Sequence, residues 1–371
     1  MRILIWHVHG GWMDSFVQGP HDYLLPTTTQ RDGWGLGRGG RAWPIRAQEV
    51  APEALRDRRP DVVVLQRPDE VAEATRVLGA VPGVDVPALY LEHNTPRQHA
   101  ATSVHPMADQ RDIPIVHVTH FNELFWDNGI APTTVIEHGI VDPGARYSGE
   151  LDAFAAVINE PVRRGRVTGT DLLARFTDLA PVHVFGMATD GLQHAVADGS
   201  VVPSGDLPPD QLHTQLARRR AYLHPVRWTS LGLSLLEAMY LGMPVLALAT
   251  TEVVRAVPPG TGVTSTDPDD LRSAAADLLG DPERARQLGA AAREHVRHAY
   301  SLENFLERWN TVLDDTVATW RLRHPRPRRA GPSAGHVATH IDHLEHIAQT
   351  DYRQGTQSSH GSGPATEGAP S

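Results

Sequence analysis

The sequence predicts an α/β protein made of two doubly wound domains, each with a parallel sheet. Three observations carry this. Short apolar runs such as Val62-Val63-Val64-Leu65 and Val245-Leu246-Ala247-Leu248 alternate with segments of helical period. Those runs lack the polar alternation of a sheet with one wet face, so they read as strands buried on both sides. The alternation breaks near residues 144–149 and starts again, giving two halves in 371 residues.

Composition narrows the class. A hydrophobic share of 40% with 21% charged residues is ordinary for a globular chain. The formal charge of -10 argues against nucleic acid as the main partner. Cysteine is absent, which excludes disulfides and thiolate metal sites. No lysine occurs either, so all 34 basic residues are arginine, and any cationic role falls to guanidinium groups or backbone dipoles. The opening apolar run is too short for a signal peptide. The longest apolar segment carries Glu237, Gly242 and Pro244, which argues against a membrane span. A cytoplasmic protein is expected, with peripheral membrane contact left open.

In the first half, residues 2–6 read as a first strand ending in a loop that holds His7, His9, Gly10 and Gly11. Residues 19–25 are expected to begin a short helix. Residues 26–45 form a Gly-, Thr- and Trp-rich loop long enough to be functional. Within it, residues 35–40 spell a literal G-x-G-x-x-G, but no apolar strand leads directly into it and no helical pattern follows, so the dinucleotide reading lacks its context. A helix is expected over 47–58, a strand over 61–65, a helix over 70–78 and a strand over 88–91. A strand over 115–118, a helix over about 122–128 stopped by Gly129, and a strand over 134–136 complete the half.

The second half restarts with a strand at 154–158 and an arginine-rich loop holding Arg163, Arg164 and Arg166. A helix is expected to open at Gly169. A strand follows at 182–185, then a short strand at 260–263 and helices over 267–279, 282–298 and 302–321. The domains are expected at 1–146 and 147–305, with residues 306–324 as a terminal helix returning to the first domain. From 325 to 371 the chain is rich in Pro, Gly, Ser, Thr and His and cannot bury a core, so a disordered tail is expected. His336, His340, His343 and His346 there have helix-compatible spacing, which more often means adventitious metal binding than a site.

Residues 222–250 organise the chain. An apolar run stops at His224 and Pro225, a polar loop follows, and a helix is expected from Ser234, with Ser234 as its N-cap. Gly242 closes the helix and Pro244 prevents its continuation. The loop delivers Gly232 to a helix N-terminus, where free N–H groups and the helix dipole favour an anion. Glu237, placed in the first turn, would repel phosphate, so it reads as an acceptor for hydroxyls beside the anion. An anion next to a diol describes a nucleotide.

This stretch resembles the donor signature of retaining GT-B glycosyltransferases of family 4, which runs P-S-x-x-E-G-F-G-L-x-x-L-E-A-M-A-x-G-x-P-V. Pro225, Gly232, Leu233, Leu236, Glu237, Ala238, Met239, Gly242, Pro244 and Val245 match. Thr229 stands in place of the first glutamate, Ser230 in place of the glycine after it, and Leu231 in place of the phenylalanine. The resemblance implies two Rossmann-like domains facing a cleft and transfer of a sugar from a nucleotide-diphosphate sugar to an acceptor hydroxyl with retained configuration. It implies that Thr229, Ser230, Leu231, Gly232, Leu233, Ser234 and Glu237 line the donor. His93, in a loop similar to the family's donor-sugar loop, would contact the sugar. Residues 134–142 resemble the V-I-P-N-G-V-D segment, with His138 where asparagine is usual. Gly19 would lie near the donor phosphate, although Pro20 replaces the second glycine of that motif. Arg163, Arg164 and Arg166 would hold the diphosphate in place of an arginine and a lysine, with Thr168 at the lysine position. No metal or cofactor is implied. The acceptor, whether glycan, lipid or small molecule, is not implied.

Two other readings compete. One is a degenerate GT-B protein that binds nucleotide or glycan without transfer. The other takes His7 and His9 as the H-x-H metal pair of an amidohydrolase barrel, since alternate residues of a strand share a face. That family often bridges its metals with a carboxylated lysine, which this chain lacks, and its barrel needs eight units rather than two halves. Pocket lining is the simpler role for both histidines.

Overall fold

A computed structural model describes residues 1–96, 99–196 and 199–325. The four tail histidines lie outside the described residues, as does all of the expected tail after Pro325.

The first domain is a seven-stranded sheet of β1 (Arg2–Ile5), β2 (Asp22–Pro26), β3 (Ala47–Val50), β4 (Val62–Leu65), β5 (Ala88–Glu92), β6 (Ile115–His117) and β7 (Thr133–Val135). Its order is β3-β2-β1-β4-β5-β6-β7, with every pairing parallel. The second is a six-stranded sheet of β8 (Leu151–Val157), β9 (Val182–Phe185), β10 (Val201–Gly205), β11 (Arg219–His224), β12 (Val245–Leu248) and β13 (Val263–Ser265). Its order, β10-β9-β8-β11-β12-β13, repeats the same winding. In each sheet the strand order reverses at one point, between β1 and β4 and between β8 and β11. Crevices open there at the carboxyl ends of the strands.

Helices cover both faces, so a central strand such as β4 is apolar and buried on both sides. Ile3, Ile5, Val62 and Val64 pack on one side of the first sheet, and Leu4, Val63 and Leu65 on the other. The helix Leu302–Arg323 buries Phe305, Trp309, Leu313 and Val317, one residue per turn, against this first domain. Trp309 meets the edges of Trp12 at 5.4 Å and Phe16 at 5.0 Å. Each such buried side chain contributes about 2–3 kcal/mol of apolar burial. The last helix of the chain is thereby tied to the first strand's domain.

Three expected elements differ. Residues 19–25 hold no helix: the helix is Gly10–Phe16, and Tyr23, Leu24 and Leu25 belong to strand β2, buried on both faces. A short apolar run does not distinguish the two by period. Residues 47–58 divide into strand β3 and the helical turns Pro52–Ala54 and Leu55–Arg58. The helix expected from Ser234 spans Leu233–Leu241, and its N-cap is Gly232, with no side-chain cap. Among the described residues no helix is long and apolar enough to cross a membrane.

Candidate functional site

Strand β11 ends at His224 beside the second switch point, and the chain turns through residues 225–232 into the Leu233–Leu241 helix. Gly232 is required at the entry, because a Cβ there would lie 2.8 Å from Cε1 of His224. His224 is buried, and desolvation lowers its pKa to about 4, so the ring under the loop is neutral. Ser234 does not cap the helix; its hydroxyl accepts a hydrogen bond from Tyr222 at 2.9 Å. Glu237 lies two residues deeper than expected, as the fifth residue of the helix and so beyond its first turn. Its side chain is 25% exposed, and its Oε2 lies 3.7 Å from His213 Nε2, longer than a hydrogen bond.

The loop 225–232 is seated on both domains. Ser230 Oγ donates to the carbonyl of His93 at 2.8 Å, and the Trp228 indole donates to the carbonyl of Pro96 at 2.7 Å. Trp228 also meets the edges of Phe121 and Phe125, which stack on each other at 4.3 Å. On the other side, the amide of Arg227 reaches Val167 O at 2.9 Å, and its guanidinium grips both oxygens of Asp171. A further link crosses the cleft from the amide of Phe121 to Glu252, at 2.7 Å. Thr229 is half-buried between these anchors.

His93 sits on the first domain's wall of the cleft, 9% exposed. Its Nε2 meets Gln66 Oε1 at 3.0 Å, its ring packs 4.0 Å from that of His9, and Trp12 presents an edge at 5.3 Å. Burial, aided by His9 and His138, holds the His93 pKa well below the ordinary histidine value, so the ring is neutral. His138 is 5% exposed with neither ring nitrogen hydrogen-bonded, and burial brings its pKa to about 4.

The arginine segment forms the helix Pro161–Thr168 rather than a loop before one, and it is kinked at Gly165, where φ is 33° and ψ is -103°. Gly169 closes it at φ 75°, so close to the neighbouring loop that a Cβ would fall 1.8 Å from Pro225 O. This contact places the arginine helix against the donor loop. Arg163 Nε bonds Glu160 at 2.7 Å, and Arg166 lies 3.6 Å from Asp171, both on the exposed surface. Arg164 rides on the same helix, its amide bonded to Glu160 O at 2.9 Å. In this arrangement Arg163 and Arg166 face counter-ions of their own domain.

Gly19 does not reach the cleft. It precedes β2 at the amino-terminal end of the strands, where a Cβ would lie 2.4 Å from the Tyr23 hydroxyl and 3.5 Å from Leu306. The glycine pair beside the cleft is Gly10 and Gly11, which open the helix Gly10–Phe16 after the loop that follows β1. A Cβ on Gly11 would meet Leu233 Cδ1 at 3.1 Å, so this helix start touches the entry of the Leu233–Leu241 helix. The signal lay in the two glycines following the first strand's loop.

His7 and His9 lie beyond the end of β1, so strand alternation does not govern them. His7 Nδ1 meets Gly37 O at 2.9 Å and its ring lies 4.6 Å from Trp43, whereas His9 caps the next helix and packs on His93. Among the described residues, no group of three His, Cys, Asp or Glu side chains is placed to hold a metal ion. Residues 35–40 fold back over this region rather than opening a helix, with Thr27 and Leu36 bridged.

Beside the donor helix, a pocket of about 560 Å³ opens along the helix Pro209–Ala217. Phe185, Ser204, Leu207 and Gln211 line it at the carboxyl ends of β9 and β10, and the buried Arg219 lines it as well.

Residues 197–295 match the family model described as "Glycosyl transferases group 1". This segment is similar to the group 1 glycosyl transferases. It holds β10 to β13, the loop 225–232 and the Leu233–Leu241 helix. Over 85 residues the chain is 39% identical to the GDP-mannose-dependent monoacylated alpha-(1-6)-phosphatidylinositol monomannoside mannosyltransferase of Corynebacterium glutamicum, covering 22% of each chain. The chain therefore spans about a fifth of the curated relative it matches. Among solved structures, sucrose-phosphate synthase from Thermosynechococcus elongatus aligns with a TM-score of 0.66 at 14% identity, over 86% of this chain and 100% of that one. HepE from Anabaena, solved with UDP, aligns at 0.63 and 11% identity over 85% and 100%. TarM from S. aureus, solved with Fondaparinux, alpha-GlcNAc-glycerol and UDP, aligns at 0.53 and 14% over 68% and 55%. The fold is GT-B, and the group 1 segment forms the wall of its cleft opposite His93.

Proposed function

We propose that the chain transfers a sugar from a nucleotide-diphosphate sugar to an acceptor hydroxyl, with retention of anomeric configuration. The observation that carries this reading is the bond from Ser230 to the His93 carbonyl, which brings the group 1 donor loop and the histidine of the other domain to one place. The UDP held by HepE and the GDP-mannose dependence of the corynebacterial relative support a nucleotide diphosphate. The glycan in the TarM complex supports a glycan among the acceptor classes.

The chemistry asks for stabilisation of a departing diphosphate. The free N–H groups at the entry of the Leu233–Leu241 helix face that charge and need no reorganisation. Arg163, Arg164 and Arg166 reach it by exchanging their present partners for phosphate oxygens, which a guanidinium binds in bidentate fashion. This field supplies positive charge without a metal. Glu237 accepts the ribose hydroxyls, and the Phe185, Ser204, Leu207 and Gln211 end of the pocket takes the base. His93, neutral in its dry setting, accepts from a sugar hydroxyl. Thr229 offers a hydroxyl where a carboxylate is usual, so it meets the sugar as a neutral partner.

A thermal-shift screen against UDP, GDP, ADP and TDP sugars, followed by product analysis in chelator, tests the reading. Stabilisation by one donor, with transfer retained in chelator, is the expected result. Binding without product turns the chain into a GT-B binder, and binding of no donor overturns the reading.

A further inference from the structure

Gln66 directly follows β4 at the first switch point and is 3% exposed. Its side-chain amide lies between two groups. Gln66 Nε2 donates to the carbonyl of Trp6 at 2.8 Å, and Gln66 Oε1 faces His93 Nε2 at 3.0 Å. The Trp6 carbonyl can only accept, which forces the NH₂ toward it and leaves the amide oxygen for the histidine. An amide oxygen can only accept, so the proton of a neutral His93 ring resides on Nε2 and its lone pair on Nδ1. The amide cannot turn over without setting two acceptors against each other at Trp6. Its backbone is also held: the Gln66 amide donates to Glu70 Oε2 at 2.6 Å, and its carbonyl accepts from the Tyr90 hydroxyl at 3.3 Å.

We propose that Gln66 is a positioning residue that fixes the tautomer of His93, so that Nδ1 presents a lone pair to a hydroxyl of the donor sugar. The role of Nδ1 rests on the function proposed above; the tautomer does not. The chain from the Trp6 carbonyl through the amide to the imidazole is a rigid relay of one orientation, anchored on the first strand's end. The titratable groups around His93 are His9, whose ring packs on it, and His138, whose influence reaches it; both lower its basicity and neither supplies a counter-charge. Glu70 is held on the backbone side of Gln66 and on Arg67.

The full chain, labelled with nitrogen-15 histidine, gives the direct test. Long-range proton–nitrogen spectra, with His93 assigned by its loss in His93→Gln, should show a pyrrole-like Nε2 and a pyridine-like Nδ1. Gln66→Met, similar in shape but without the amide, should give a mixture of tautomers and lower kcat/KM for the donor about tenfold, the size of one hydrogen bond. Gln66→Glu keeps the acceptor and adds a charge that favours the imidazolium. It should hold the tautomer at high pH and impose a new acidic limb on the rate between about pH 5 and 7. A merely structural glutamine would produce no such limb. A pyrrole-like Nδ1 in the wild type overturns the proposal even if both variants fail to fold. So does an unchanged spectrum with unchanged kinetics in Gln66→Met. The expected tautomer in a chain that transfers no sugar overturns the donor role of Nδ1 and leaves the fixed tautomer standing.

Discussion

The hydroxyl of Ser230 donates to the carbonyl of His93 across 2.8 Å of space and 137 residues of chain. It stands where the related signature has a glycine, so the bond is made by a side chain that the signature does not supply. Ser230→Ala leaves the His93 carbonyl without this partner. We expect a loss of about 1 kcal/mol in denaturant unfolding and a several-fold rise in donor KM. A variant with both values unchanged would separate the two loops functionally.

Glu237 is 25% exposed and lies 3.7 Å from His213, beyond hydrogen-bond distance, which suits a carboxylate that accepts from hydroxyls of a ligand. Glu237→Gln keeps the shape and removes the charge. Donor KM should rise about 10- to 100-fold, the range of charge-assisted bonds, with the melting temperature unchanged.

In the proposed reaction Thr229 meets the sugar and not the nucleotide. Thr229→Val preserves the branched shape and deletes the hydroxyl. Sugar transfer should fall about tenfold, while calorimetric affinity for the bare nucleoside diphosphate stays constant. Equal loss in both would move Thr229 from the sugar to the phosphate.

Gly169 joins the arginine helix to the donor loop, with φ at 75° and the Pro225 carbonyl 1.8 Å from where a Cβ would sit. Gly169→Ala must push that backbone apart. We expect at least about 2 kcal/mol of destabilisation in urea, together with weakened donor binding.

Stability should fall on acidification. His138 and His224 are neutral and buried, with folded pKa values of about 4 against 6.5 in a model peptide. Their lowered values mean that the stabilisation is full above 6.5 and is lost as pH falls toward 4. Glu70, raised to about 7 by burial, acts with the opposite sign. His138→Asn should therefore lower the melting temperature less steeply between pH 6.5 and 4.5 than the wild type does, by on the order of 1–3 kcal/mol at the acid end.

The sequence by itself determined the pieces whose signal is local. Buried strands such as β4 and β12 are legible because a strand covered on both faces must be apolar without interruption. The end of the Leu233–Leu241 helix is legible because Gly242 and Pro244 mark it, while its start lies at Gly232 rather than at Ser234. Glu237 and the neighbouring loop suggest an anion-and-diol site from residue types alone, and the proposed function rests on that reading. Tertiary structure decided the rest. Tyr23, Leu24 and Leu25 suit a helix or a strand equally, and only the pairing of β2 with β1 and β3 selects the strand. Gly19 and Gly11 are both glycines after an apolar run, and the packing of Leu306 and Leu233 assigns one to the amino-terminal end of the strands and the other to the cleft. Gln66 carries no motif at all. Its role comes from an acceptor, the Trp6 carbonyl, and a donor, the His93 Nε2–H, that lie 60 and 27 residues away. An amide between one acceptor and one donor has one orientation, and that constraint exists only once the strands have brought the three residues together.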